Sequence, residues 1–334
     1  MTAERAPELS VVVPIFNEEA VLPELQQRLG RVLDAACPDH EIVFVDDGSV
    51  DESPTMLLAA ATRDPRVRVL RFSRNFGHQA AVTAGIEHAA GRAVVVIDAD
   101  LQDPPEVIPE LVAKWREGFD VVSAVRTERP GESAMRLLLI KVFYRVLKRI
   151  ASVDMTPDVG DFRLLDRRVA DALNRLPERN RYVRGLIRWL GFRHTEVRYK
   201  RAERFAGETK YPYTKLVRLA LDGVTAFSTL PLRLVTYLGF AVFGLSVLLI
   251  LFALVGLAGG RTPAGWTSVF VAVAFLSGVQ LVAIGILGAY VSRIFEEVKG
   301  RPLYVIAADS AWPASQKRNS TAYSSAASEP NLSA

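Results

Sequence analysis

Val94-Val-Val-Ile-Asp-Ala-Asp-Leu-Gln-Asp-Pro-Pro105 decides the fold. Val94 to Ile97 is a short, mostly β-branched apolar run, which reads as a buried strand. The strand runs into acid: Asp98, Asp100 and Asp103, with Gln102 among them. Pro104 and Pro105 forbid its continuation and suit the first turn of a helix. In an open α/β sheet, ligands bind at the carboxyl ends of the strands. Hard oxygen ligands at such an end suit a divalent cation, Mg²⁺ or Mn²⁺, holding a phosphate. The competing reading is an acidic turn that caps the next helix, for which Asp103 alone would suffice.

The flanking sequence repeats the pattern. Leu9–Ile15, Glu41–Val45 and Val67–Phe72 read as strands, and Ala20–Ala36, Asp51–Arg63 and His78–Ala90 as helices. Alternation at this spacing predicts a parallel sheet with helices on both faces. A second strand end carries paired acids, Asp46 and Asp47, and no glycine-rich phosphate turn is present. The expectation is a nucleotide held through carboxylates and a metal. Asp120–Arg126 is a further strand, ending in a cation, and Asp161 and Arg163 share a short apolar stretch. Arg181–Phe192 reads as a helix, and Arg198–Tyr213 as a polar loop carrying Arg201, Arg204 and Lys210. The four histidines, His40, His78, His88 and His194, are scattered and are not expected to be ligands.

Composition narrows the class. Across 334 residues, Lys+Arg total 41 against Asp+Glu 37, and a net charge of +4 is too small to imply a nucleic-acid partner. The single cysteine, Cys37, excludes an internal disulfide and a cysteine-built metal site. The polar start, Met1–Glu8, leads straight into a strand, so no signal peptide is expected.

The apolar excess sits late in the chain. Leu234–Ala258 and Thr267–Val291 are uncharged runs, each long enough to span a bilayer as a helix. The short linker between them predicts a hairpin with both chain ends on one side. Arg218, Arg233, Arg293, Lys299 and Arg301 flank the outer ends against Arg261 in the linker. The positive-inside rule then puts both termini and the N-terminal domain in the cytoplasm, at the inner membrane. Ser133–Ile150 and Pro212–Ser228 are basic amphipathic segments that suit a membrane surface. The expected organisation is a catalytic domain over 1–211, an interface helix over 212–233 and a hairpin over 234–291. A segment over 292–307 is expected to pack back on the domain, and a disordered tail to fill 308–334.

Several motifs occur in an order that resembles glycosyltransferase family 2. They are Val11-Val-Val-Pro-Ile-Phe-Asn-Glu18, Val45-Asp-Asp-Gly-Ser-Val-Asp-Glu-Ser53, Ser73-Arg-Asn-Phe-Gly77 and Asp98-Ala-Asp-Leu-Gln-Asp-Pro-Pro105. Gly160-Asp-Phe-Arg-Leu164, Arg204-Phe-Ala-Gly-Glu-Thr-Lys-Tyr211 and Phe227-Ser-Thr-Leu-Pro-Leu-Arg233 complete the set. With the membrane runs, the resemblance is to the polyprenyl-phosphate branch, which includes undecaprenyl-phosphate glucosyltransferases and dolichyl-phosphate mannose synthase.

That resemblance implies a GT-A (Rossmann-like) α/β catalytic domain with interfacial amphipathic helices and a C-terminal two-helix transmembrane hairpin. It implies inverting transfer of one sugar from a nucleotide-sugar to a polyprenyl phosphate, and a homo-oligomer, a tetramer in relatives. UDP-glucose is the favoured donor, with GDP-mannose, UDP-N-acetylhexosamines and an aminoarabinose derivative as alternatives. Pro14, Phe16, Glu18, Asp46 and Asp98 would line the nucleotide-sugar pocket, with Arg204 and Lys210 closing over the diphosphate. Asp98, Asp100 and Gln102 would hold the metal, and Asp100, Asp161 and Arg163 would serve catalysis. Arg126 and Arg136 would receive the acceptor phosphate. Two rival readings are a processive polysaccharide synthase, whose glutamine-containing signature is lacking at Gly185-Leu-Ile-Arg-Trp189, and a non-catalytic nucleotide-sugar scaffold.

Overall fold

A computed structural model describes residues 6–127, 159–179, 181–200 and 265–311, with helical residues 232, 235–242, 244–245 and 248. Arg136, Arg204 and Lys210 lie outside the described residues, as do both basic amphipathic segments and most of the first apolar run.

The chain divides into two compact units, one holding every described strand and the other spanning residues 145–152 and 211–301. In the first unit, β1 (Leu9–Ile15), β2 (His40–Asp46), β3 (Val67–Phe72) and β4 (Ala93–Val96) alternate with α1 (Leu22–Ala36), α2 (Ser53–Arg63) and α3 (His78–His88). Next come a single 3₁₀ turn (Pro105–Val107), α4 (Ile108–Arg116), β5 (Val121–Arg126), β6 (Val159–Asp166), α5 (Arg167–Asn174), α6 (Val183–Trp189) and β7 (His194–Tyr199). After α7 (Trp266–Lys299), the last strand is β8 (Ile306–Asp309). Among the described residues the strands form one eight-stranded sheet, in the order β7-β5-β6-β4-β1-β2-β3-β8.

The apolar strand runs became the centre of this sheet. β1 is buried along its whole length and lies parallel to both β2 and β4. Helix α1 presents Leu22, Leu25, Leu29 and Leu33, spaced to share one helical face, to the same core. Helix α3 approaches β1 so closely that a Cβ at Gly85 would stand 2.1 Å from Val12 Cγ1. Only glycine fits that contact.

The all-parallel expectation fails at two places. β6 is antiparallel to β4 and to β5, and β8 is antiparallel to β3. The consequence of the first is decisive for the site. An antiparallel strand begins where its parallel neighbours end, so residues early in β6 arrive at the carboxyl edge of the sheet. Val96 pairs with Arg163, and continuing that register sets Asp98 opposite Asp161. β5 and β7 run parallel, with Arg126 beside Tyr199, and bring both residues to the same edge.

Residues 308 and 309 belong to β8, so the expected disordered tail begins too early. The helix that holds the second apolar run is longer than the run: α7 continues past Val291 through Lys299 and ends at Gly300, whose φ of 68° is the left-handed cap that glycine favours. Among the described residues one helix is long and apolar enough to cross a membrane, within Phe275–Lys299.

Candidate active site

Three loops at the carboxyl edge of the sheet are pinned by their own polar groups. After β1, Asn17 takes a φ of 56°, and its side-chain oxygen accepts the Val50 N–H at 2.9 Å. The Glu18 N–H donates to Ser53 Oγ at 3.0 Å, which places Phe16, Asn17 and Glu18 beside the turn after β2. Phe16 is exposed, in contrast to the buried strand before it.

The paired acids after β2 do different work. Asp46 is fully buried; its Oδ1 accepts the Ser49 N–H at 2.8 Å. Its Oδ2 is closed off from solvent and accepts no hydrogen bond, although Arg71 Nε stands 3.3 Å away. Burial pushes the Asp46 carboxyl up, against the lowering effect of Ser49. Asp47 is instead a structural clamp: its two oxygens accept the N–H groups of Phe76 and Gly77 at 2.7 and 2.9 Å. Gly48 allows this, since at a φ of 72° its missing Cβ would lie 2.5 Å from the Arg74 carbonyl carbon. The clamp fixes the loop that leads into α3, whose first residue is His78.

The loop after β4 is strained at Leu101, a buried non-glycine residue with a φ of 56°. That strain lies between Asp100 and Gln102, whose N–H donates to Asp100 Oδ1 at 3.1 Å. Asp98 Oδ1 is buried without a hydrogen-bond partner. Burial pushes Asp98 up to about 6; His78 opposes this, while the charges of Asp161, Asp103 and Asp100 add to it.

Asp161 sits opposite, almost fully buried, with a partner on each oxygen. Arg184 reaches it from α6, with Nε to Oδ1 and Nη2 to Oδ2 both at 2.7 Å. His78 Nε2 donates to Asp161 Oδ2 at 3.2 Å and stands 3.6 Å from Asp98 Oδ1. Burial alone would raise Asp161, but hydrogen bonds from Arg184 and His78 reverse that and hold it well below the usual carboxylate range. Burial pulls His78 down, and the bond to Asp161 with the charge of Asp98 raises it overall.

Arg163, which the resemblance put among the catalytic residues, is buried and donates through Nη2 to the Gly160 carbonyl at 2.5 Å, while Arg184 forms the ion pair with Asp161. Of the four scattered histidines, His78 joins the two carboxylates. Arg126 sits at the same edge but is engaged: its Nη2 lies 3.3 Å from both Asp103 oxygens and its Nε donates to Tyr199 Oη at 3.2 Å. The Tyr199 hydroxyl donates to Asp103 in turn. Asp103 is thus committed to Arg126 and Tyr199.

Among the described residues no three His, Cys, Asp or Glu groups form a ready-made metal cage. Asp98 and Asp100 nonetheless fit a magnesium- or manganese-type ion, which is commonly held by one or two carboxylates together with substrate phosphate and water. The orphaned Asp98 Oδ1 is the observation that supports that fit.

Residues 10–173 match Glycosyl transferase family 2. An uncharacterized glycosyltransferase, YkcC of Bacillus subtilis (strain 168), is 48% identical over 298 residues, covering 89% of this chain and 92% of that protein. The chain belongs to glycosyl transferase family 2. It is a glycosyltransferase with a GT-A-type α/β fold. The family match spans β1 to β6 and therefore includes Asp98, Asp100 and Asp161, and stops short of Arg184. A prophage-derived bactoprenol glucosyl transferase of Shigella flexneri is 43% identical over 299 residues, covering 89% of this chain and 97% of that protein. A solved structure of glucosyl-3-phosphoglycerate synthase from Mycobacterium tuberculosis, in complex with Mn²⁺, UDP and phosphoglyceric acid, aligns with a TM-score of 0.49. That alignment covers 66% of this chain and 76% of the other, at 21% identity.

Sequence reasoning missed His78 and Arg184. A signal for each existed: Asp161 is a charge in an apolar strand and needs a buried partner. Arg184 is the cation of an otherwise apolar helix start, Val183-Arg-Gly-Leu-Ile187.

Proposed function

We propose that this glycosyltransferase moves a single glucose from UDP-glucose to a polyprenyl phosphate, inverting the anomeric carbon, at the cytoplasmic face of a membrane. The single observation that carries this reading is the facing pair Asp98 and Asp161 at the carboxyl edge. One has a buried oxygen without a partner, and the other is held ionised. The acceptor class is supported by the 43% identical bactoprenol glucosyl transferase, nearly all of whose length this chain matches.

The residues divide the work. Pro14, Phe16, Glu18 and Asp46 border the base and ribose. Asp98 and Asp100, with Gln102 behind them, would hold Mg²⁺ or Mn²⁺, which when bound supplies positive charge to the donor diphosphate. Arg204 and Lys210, carried over from the resemblance, add charge to the same leaving group. The lipid phosphate is the nucleophile; its second pKa of about 6 leaves it largely ionised at neutral pH, so no strong base is required. Asp161, already ionised, orients a reacting group and is a poor proton acceptor. Arg126 and, by the resemblance, Arg136 would receive the acceptor phosphate. The apolar helix α7, with Leu234–Ala258 as its expected hairpin partner, holds the catalytic unit where a polyprenyl chain can reach it.

The test is product analysis with the full chain in detergent, labelled UDP-glucose and undecaprenyl phosphate. A monoglucosyl lipid is expected. A long polymer would favour a processive synthase. Product from another nucleotide-sugar, with none from UDP-glucose, would overturn the choice of sugar.

A further inference from the structure

We propose that Arg184 is a positioning residue for the transfer reaction, holding Asp161 in the one orientation in which it receives a hydroxyl of the donor sugar. The inference rests on the function proposed above and goes beyond it by naming how Asp161 is set.

A carboxylate buried to 3% exposure, as Asp161 is, needs an opposite charge or it takes up a proton. Arg184 supplies that charge in a two-pronged geometry, both contacts at 2.7 Å, which fixes the plane of the carboxylate as well as its place. The fork itself is anchored. Helix α6 buries Val183, Gly185, Leu186 and Ile187, and the Val183 N–H donates to Gln79 Oε1 on α3 at 3.2 Å. Gln79 follows His78 directly, so one helix start carries both the second partner of Asp161 and the tether of α6.

The asymmetry of the pair points away from simple glue. Asp161 is closed in, while the Arg184 side chain keeps 36% of its surface exposed at the substrate edge. With Arg184 on both oxygens and His78 on one, Asp161 presents lone pairs in a fixed direction and has little affinity for a proton. Such a group is an acceptor for a sugar O–H. It would repel the lipid phosphate, which argues against direct contact with the nucleophile.

The experiment is a double-mutant cycle on the full chain in detergent, with labelled UDP-glucose and undecaprenyl phosphate. The variants are Arg184→Gln, Arg184→Lys, Asp161→Asn and the pair Arg184→Gln/Asp161→Asn. Thermal unfolding and UDP calorimetry accompany each. Arg184→Gln is expected to lower kcat about 100-fold while the UDP-glucose KM stays within about threefold. Arg184→Lys, which keeps the charge and loses the fork, should recover part of that loss. In the Asp161→Asn background, Arg184→Gln should cost no more than about threefold, because the two act as one unit. Full multiplication of the two losses would overturn the proposal, since Arg184 would then act independently. An unchanged kcat with a raised lipid KM would also overturn it, making Arg184 an acceptor ligand. If Arg184→Gln does not fold, Arg184→Lys decides: wild-type kcat there overturns the proposal. Absence of lipid product from the wild-type chain would overturn the function reading instead.

Discussion

His78 Nε2 lies 3.2 Å from Asp161 Oδ2 and 3.6 Å from Asp98 Oδ1, so one imidazole bridges a carboxylate on β6 and a carboxylate in the loop after β4. The bridge exists because β6 enters the sheet against the direction of β4. It joins an acid with one unmatched oxygen to an acid that has a partner on each oxygen. In the function proposed above, Asp98 would bind the ligand and Asp161 would act as a fixed acceptor.

Metal dependence is the expectation for the proposed ligands Asp98 and Asp100. Asp100→Asn replaces an anionic oxygen with a neutral amide, a poorer ligand for a hard dication. Turnover is expected to fall about 100-fold or more. Excess chelator should silence the wild-type enzyme, and Mg²⁺ or Mn²⁺ should restore it. Full turnover in chelator, measured as lipid-linked sugar formed per minute, would remove the metal from the scheme.

Acid sensitivity of the fold should be readable at His194. Its Nε2 is 2.8 Å from Ser123 Oγ, and burial pulls its pKa down to about 4, helped by the charges of Arg188 and Arg163. A histidine lowered in the folded state leaves the unfolded chain binding more protons between about 4 and 6.5. Stability must therefore fall as pH drops through that window. Asp98 pushes the opposite way, because its raised pKa lets the folded state bind a proton below about 6. The two are separated by difference: His194→Gln keeps a hydrogen-bonding partner for Ser123 and removes the titration. Melting curves between pH 4 and 7 should be flatter for the variant at the acid end than for the wild type. Parallel curves would show that His194 is not held neutral.

The strand after α7 should matter to stability. Asp309 is 2% exposed and takes Arg68 Nη2 at 2.7 Å and Nε at 3.2 Å. Tyr304 stacks on Phe72 with ring centres 5.0 Å apart, and Val305 accepts the Ser73 N–H at 3.0 Å. Removing one partner of a buried pair costs more than the pair contributes, because the other charge is left unpaired. Asp309→Ala is expected to cost about 2 kcal/mol or more. A chain ending at Gly300 should lose more, since the β3 edge would lose its only neighbour on that side among the described strands. Thermal unfolding in detergent checks both, and an unshifted midpoint for Asp309→Ala would contradict the role.

How much of this was legible beforehand depends on the distance over which residues meet. β1, β2 and β4 were legible because their Val and Ile runs are local and too short for helices. The acids at their ends were legible because strand direction alone places them. Asp47 was read with Asp46 as a ligand pair, yet its hydrogen bonds go to Phe76 and Gly77, and no local rule distinguishes the two. The direction of β6 was hidden, because antiparallel insertion is a choice of pairing partner and leaves no periodicity. His78, Asp161 and Arg184 consequently looked unrelated: they lie on three elements and meet only through that choice. The motif at Gly160–Leu164 marked Asp161 by resemblance but could not name its partner, and the nearest cation in sequence, Arg163, turned out to hold the Gly160 carbonyl.

The acceptor side is where resemblance and geometry pull hardest against each other, and Arg126 is the residue on which to test it. Read as a strand-end cation, it would grip the lipid phosphate. In the structure its charge is answered by Asp103, which is 1% exposed, and its orientation is shared with Tyr199. Burial pulls Arg126 down and the charge of Asp103 raises it overall, so it stays a cation throughout. A guanidinium has five N–H donors, and the contacts to Asp103 and Tyr199 use Nη2 and Nε, leaving Nη1 uncommitted in these contacts. Arg126 can thus serve the phosphate while Asp103 holds it in place. Three variants separate the roles. Arg126→Ala should raise the KM for lipid phosphate about tenfold or more and leave UDP affinity by calorimetry within about twofold. Tyr199→Phe removes one tether and should shift lipid KM only slightly, because Asp103 still orients the guanidinium. Asp103→Asn should disturb the lipid KM without abolishing it, since the cation persists while its anchor weakens. A loss of UDP affinity in Arg126→Ala with a normal lipid dependence would assign Arg126 to the donor. The acceptor phosphate would then have to be met by cations elsewhere, with the basic segment after β5 the next place to look.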